Sequence, residues 1–153
     1  MTITEVNSAT FLADAINLIR DKIKANITDP VVSVRPSGQR FVFTSYPKEP
    51  VVYPVITITD RGITQPQRLG MGSEGTTINL NVEIRIWARN VKERDELFDS
   101  VYNYLRTNQI STANLVGANL SGFQLTSAVN IDEIGIEGIK SKVMEVRYLI
   151  LIL

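Results

Sequence analysis

Residues 77–88 read Thr-Ile-Asn-Leu-Asn-Val-Glu-Ile-Arg-Ile-Trp-Ala and alternate polar with apolar almost throughout. Successive side chains of a strand point to opposite faces. Ile78, Leu80, Val82, Ile84 and Ile86 therefore line one face, and Asn79, Asn81, Glu83 and Arg85 the other. A strand with one dry and one wet face belongs to an antiparallel sheet, because parallel sheets are covered on both sides. Trp87 lies on the polar face. There it serves either as an anchor for another subunit or as cover for the second face of the sheet beneath a loop. Arg85 and Arg89 share that face, two residues to either side, which puts a cation–π contact within reach.

The flanking sequence supplies two helices. Asn90 stands where a helix cap is needed, and Glu93 three residues on makes a capping box with Asn in first place. Leu97, Phe98, Val101, Tyr104 and Leu105 form the apolar stripe, and the helix is expected to run to about Asn108. An earlier helix is expected over residues 9–27. Its stripe is Phe11, Leu12, Ala15, Ile16, Ile19, Ile23 and Ile27, its cap Asn7, Ser8 or Thr10, and its stop Asp29-Pro30.

Short β-branched and aromatic runs predict the remaining strands at 31–34, 41–44, 53–59, 123–131 and 142–153. Residues 46–50, with two prolines, read as a loop, as do 109–122; residues 132–141 read as a turn around Gly135 and Gly138. In the last strand Met144, Val146, Tyr148, Ile150 and Ile152 share one face. The other face ends in Leu149, Leu151 and Leu153, which require cover from the core or from another subunit. Residues 60–76 show no period and hold four glycines and a proline. They read as one long flexible loop, and loops of that length inside compact domains tend to be functional. The expectation is a single α+β domain over 1–153, with a mostly antiparallel twisted sheet flanked by two amphipathic helices.

Composition excludes several functions. The 153 residues carry 16 Lys plus Arg and 16 Asp plus Glu, so the basic excess that drives phosphate-backbone binding is missing. Zero formal charge also offers little repulsion between copies. Without Cys or His there is no thiolate nucleophile, no zinc ribbon and no imidazole base. No apolar run approaches the roughly 18 residues of a membrane span, and residues 1–8 do not resemble a signal peptide, so a cytoplasm-like compartment is expected.

Four motifs suggest chemistry and do not sustain it. Gly70-Met71-Gly72-Ser73-Glu74-Gly75 matches G-x-G-x-x-G, but a dinucleotide site needs the glycines to open a helix, and here they open a strand. Ser45-Tyr46-Pro47-Lys48 matches S-x-x-K, but Pro47 and Pro50 break the helix that would bring amine to hydroxyl. Asp95 and Asp99, with Glu93 and Glu96 nearby, read as a solvated face balanced by Lys92 and Arg94 rather than a cation site. Asp132-Glu133 reads the same way. No catalytic residue, cofactor or metal is assigned, and the chain is not expected to be an enzyme.

One combination is more particular. Tyr53-Pro54-Val55-Ile56-Thr57-Ile58 precedes a long polar segment. Then comes a strand ending Ile84-Arg85-Ile86-Trp87-Ala88-Arg89, and then a helix with Lys92-Glu93-Arg94-Asp95-Glu96-Leu97 and Tyr104-Leu105. In this the chain resembles the tail-terminator (tail-completion) proteins of tailed bacteriophages, over roughly residues 9–153. Residues 109–141 carry none of the resemblance. It implies a structural virion protein at the tail neck, assembled in the host cytoplasm as a homo-oligomeric ring, usually a hexamer. Such a ring ends tail-tube polymerisation and joins the tail to the head. Its partners would be the tail-tube protein and a head-completion or connector protein, with DNA only as cargo through the lumen and no membrane. Within the same class the alternative is a head-closure or tail-tube protein. Outside it, the alternative is a small phosphate- or metal-binding enzyme. Loop character nominates Arg61, Gln65, Gln67, Arg68, Met71 and Glu74 for contacts between rings. Trp87, Leu149, Leu151 and Leu153 are the candidates for contacts between subunits. Deleting residues 65–73 is expected to spare the fold and abolish joining.

Overall fold

The computed structural model describes residues 10–48, 50–68, 76–107, 118–132 and 138–152. Its elements run α1 (Phe11–Asn26), β1 (Val42–Phe43), β2 (Val55–Arg68), β3 (Thr76–Ala88), α2 (Val91–Thr107), β4 (Ala118–Asp132) and β5 (Lys140–Ile152). The strands form one sheet in the order β1-β2-β3-β5-β4. All neighbouring pairs are antiparallel except β1 with β2, which is parallel. The molecule is an α+β fold, as the alternation in β3 predicts.

The core lies between the two helices and one face of the sheet. Ala15, Leu18, Ile19 and Ile23 of α1 are fully buried, as are Val101 and Leu105 of α2. They pack on Ile56 and Ile58 of β2, on Leu80, Val82, Ile84 and Ile86 of β3, and on Met144 and Tyr148 of β5. Burying a Leu or Ile side chain completely stabilises by about 1.5–3 kcal/mol. An aromatic ladder continues the core toward β4. Phe98 stacks near Tyr102 at 6.0 Å, Tyr102 meets Phe123 at 6.2 Å, and Phe123 meets Tyr148 at 5.7 Å.

The caps follow the sequence in α2 and depart from it in α1. Asn90 Oδ1 accepts the Glu93 backbone N–H at 2.8 Å, and the Glu93 carboxylate reaches back to the Arg89 N–H at 3.1 Å. The box closes one residue earlier than the usual pattern. In α1, Thr10 occupies the cap position, but its hydroxyl donates to the Asp14 carboxylate at 2.7 Å rather than accepting a backbone N–H. Asn7 and Ser8 lie outside the described residues.

Residues 31–34 are a turn, not a strand. Asp29 Oδ1 accepts the Val31 N–H at 3.0 Å, and Val31 O then accepts the N–H groups of Val34 and Arg35. This Asx turn satisfies the backbone locally, so β-branched composition does not decide. Val32 and Val34 stand exposed in solvent.

Residues 60–68 are not loop. Strand β2 continues through them to Arg68, with register shifts between Asp60 and Ile63 and between Thr64 and Gln67. Gly62 (φ 95°) turns the first irregularity, and its N–H is held by Asp60 Oδ1 at 2.6 Å. The shifts remove the two-residue alternation, which is why sequence reading sees no strand there. Strand β4 likewise starts earlier than expected, at Ala118, and carries shifts between Ser121 and Gln124 and between Leu125 and Ser127.

Candidate functional site

One face of the sheet carries the helices, and the other carries the charges. At one end of this second face, the chain between β1 and β2 folds over Trp87. The Tyr46 ring lies 4.8 Å from the indole, and the Arg85 guanidinium covers it at 3.9 Å. The indole N–H donates to Thr57 Oγ1 on the neighbouring strand at 3.1 Å. Trp87 is 7% exposed, so it covers the sheet beneath a loop and does not present itself to a partner subunit. The cation–π contact comes from Arg85. Arg89 turns away to Glu93.

Beside Trp87 the Tyr46 and Tyr53 hydroxyls hydrogen-bond to each other. Burial, with the Tyr46 hydroxyl facing it, pushes the Tyr53 phenol up to about 12. The loop is stapled from behind by Arg35, whose side chain is 4% exposed. Arg35 Nε and Nη2 donate to the Asp29 carboxylate at 2.6 and 3.1 Å, Nη1 donates to Val52 O, and Nη2 donates to Pro54 O at 2.7 Å. Burial alone would raise the Asp29 pKa. The hydrogen bonds from Arg35 and the Val31 N–H, with the Arg35 charge, outweigh burial and hold the carboxyl below its ordinary value. The Tyr53-Pro54 peptide is cis. The Tyr-Pro pair of the sequence is thus the point where Arg35 fixes the start of β2.

Further along this face, Arg61 bridges strands. It lies 3.1 Å from Glu83 on β3 and 3.5 Å from Glu145 on β5. Arg147 donates to Asn81 at 3.3 Å. An open trough of about 390 Å³ runs from Arg61 and Glu83 across Val143 and Glu145 to Val129 and Ile131 on β4. Its charged rim is self-neutralised, and on its β4 side Val129 and Ile131 follow Ser127.

The remaining nominated residues divide. Gln67 and Arg68 pair in the ladder with Thr77 and Thr76, and Gln65 falls within the second irregularity of β2. All three sit on the arm of a β2–β3 hairpin. Met71 and Glu74 lie outside the described residues, as does Leu153. Leu149 is partly exposed on the charged face, and Leu151 is placed in β5 opposite Thr77 and Asn119. The structure therefore joins Arg61 and Leu149 to one face, puts Gln65, Gln67 and Arg68 on the hairpin arm, and removes Trp87 from the accessible set.

The other motifs resolve locally. Thr76 begins β3, so a strand and not a helix follows the glycine run. Residues 44–48 are irregular, with no helix for the serine–lysine pair. Three of the acidic residues of α2 face a cation. Glu93 holds Arg89, Asp95 lies 3.0 Å from Arg94 and 3.6 Å from Lys142, and Glu96 lies 3.8 Å from Lys92. Glu93 is held below its ordinary pKa because hydrogen bonds and charge from Arg89 outweigh burial. Asp95 is lowered chiefly by its hydrogen bond with Arg94. Among the described residues no three acidic side chains converge as a metal site would require, and no helix is long and apolar enough to cross a membrane.

Sequence reading missed the Arg35 staple and the Arg61 bridge. Asp29-Pro30 six residues before Arg35-Pro36 hints at paired turns, but nothing in the spacing marks the long-range carbonyls of Val52 and Pro54. The Arg61 bridge depends on the irregularity at Gly62, which no period reveals. A scan against protein-family models and a search of curated proteins found no match to this chain.

Proposed function

We propose that this chain is a structural subunit of a closed ring at the neck of a phage tail, where it ends the tail tube and presents a docking surface to the head side. The observation that carries the reading is the order of elements around the Tyr-Pro strand, β2, and the Ile-x-Ile-Trp strand, β3, leading into α2. The long pairing of β2 with β3 supports it, because the two strands stay paired as far as Arg68 and Thr76. The self-neutralised face supports it too. Arg61 with Glu83 and Glu145, and Arg147 with Asn81, are arranged for polar surface contact rather than for moving protons. Head-to-tail contacts close into a ring when the rotation between subunits fits.

The segment 69–75 that connects these strands, which lies outside the described residues, is assigned to contacts between rings. Deletion of residues 65–73 would cut into paired strand, since Gln67 and Arg68 belong to the ladder. The cleaner test removes 69–73 alone. The shortened protein is expected to keep its fold by circular dichroism and to lose head–tail joining in an assembly assay. Joining at the wild-type level by a folded deletion protein would overturn the assignment of this segment.

A further inference from the structure

The two edges of the sheet are unlike. On one side β1 covers the start of β2, and the rest of that edge carries Asp60, Arg61, Pro66 and Arg68. A short covering strand, charges and proline are the usual devices that keep an edge from pairing with another chain. On the other side β4 is 15 residues long, and among the described residues it pairs only with β5. From Ala118 to Ile131 it contains no charged residue and no proline. Its irregularities lie between Ser121 and Ser127. Beyond them Ser127 to Asp132 pair one-for-one with β5. Val129 and Ile131 in this regular half are 54% and 37% exposed and line the trough.

We propose that the regular half of β4 is a self-pairing edge, which takes the same strand of a second copy of this chain in antiparallel register about a two-fold axis at Val129. The register is self-complementary. Val129 stands opposite its symmetry mate, Ala128 opposite Asn130, and Ser127 opposite Ile131. No like charges meet, and β-branched side chains pair on the exposed face. The contact satisfies backbone groups that β5 does not use and joins the two sheets into one. A partner with a charged strand would place charge against Val129 and Ile131, which disfavours it relative to a second copy.

This proposal does not rest on the ring. An antiparallel contact relates subunits of opposite polarity, whereas neighbours in a head-to-tail ring share one polarity. The β4 pair therefore belongs to free subunits or to two rings back to back. A pairing of five or six residues a side lies below the size of a stable interface, so the contact is weak and concentration-dependent.

The test is hydrogen exchange of the intact wild-type protein over a range of concentrations, read with sedimentation equilibrium. Protection of the amides among 127–131 that do not bond to β5, every second one in an antiparallel ladder, is expected to rise with concentration, in step with formation of a two-fold species. Val129→Lys sets two ammonium groups against each other at the axis. It is expected to weaken that association about tenfold, while Val34→Lys, an equal charge change on an exposed turn, leaves it unaltered. If those outward amides exchange equally fast at every concentration the proposal is overturned, as it is by a Val129→Lys protein that associates like wild type. If rings form while these amides stay unprotected, the edge proposal fails and the ring reading stands. If paired dimers form and no ring does, the reverse holds.

Discussion

Replacing Arg35 with Ala tests how the β2 strand is held in register with the end of α1. The guanidinium makes four hydrogen bonds, two to the Asp29 carboxylate and one each to Val52 O and Pro54 O, and it lies over the Phe41 ring at 5.3 Å. Its removal strands a half-buried carboxylate and two carbonyl oxygens. Breaking a buried ion pair by deleting one partner costs about 3–5 kcal/mol. Asp29 retains some solvent contact, so the expected loss lies near the lower bound, about 3 kcal/mol. For a chain of this length each kcal/mol shifts Tm by about 2–4 °C, so a fall of about 6–12 °C is expected. Arg35→Lys keeps a charge near Asp29 but cannot reach both carbonyls and the carboxylate together. It should recover less than half of the loss. Asp29→Asn combined with Arg35→Ala should cost less than the sum of the two single changes, because each single change already breaks the pair. The assay is reversible urea unfolding at one fixed protomer concentration, since association would otherwise shift the midpoint. An Arg35→Ala protein within 1 kcal/mol of wild type would refute the staple.

Three further outcomes follow from the same packing. Trp87 is the only tryptophan, so intrinsic fluorescence should be blue-shifted and resistant to a neutral quencher in the dissociated subunit; emission typical of indole in water would contradict its burial under Tyr46. Tyr148 is buried, its hydroxyl finds no hydrogen-bond partner among the described residues, and burial pushes its pKa well up. Tyr148→Phe should therefore be neutral or stabilising by about 1 kcal/mol in the same unfolding assay; a loss above 2 kcal/mol would reveal a partner for the hydroxyl. Asp29, Glu93 and Asp95 are all held below their ordinary values. Carboxyls with lowered native pKa values bind fewer protons folded than unfolded, so their contribution is present near neutrality and lost as pH falls through those values. Stability should fall steadily below about pH 4, and Arg35→Ala should show a shallower fall; an unchanged slope would remove Asp29 from the account.

What the sequence discloses depends on whether a feature is periodic. The alternation of residues 77–88 predicts β3, the dry face of the sheet and the antiparallel class, because burial on one side repeats every second residue. The stripes of α1 and α2 are equally legible. The end of β2 is not, because the irregularities around Gly62 and Gln65 take the alternation away while the backbone remains paired. The turn at 31–34 is hidden for the opposite reason. Its valines fit a strand, but a single Asp29 side chain offers the backbone a local partner first. Of the nominated contact residues, Arg61 and Leu149 reach the charged face. Trp87 was open to two readings, and the choice rests on Tyr46, a neighbour 41 positions away in the chain that no spacing rule connects to it.

The ring itself is tested most directly by solution mass from light scattering, read beside negative-stain images of the same sample. The subunit mass is 17.1 kDa, so six copies amount to roughly 100 kDa. A single species near that mass, imaged as closed rings with an open centre, is the predicted result. A protein that stays monomeric at high concentration, or that grows into open chains without closing, would contradict it.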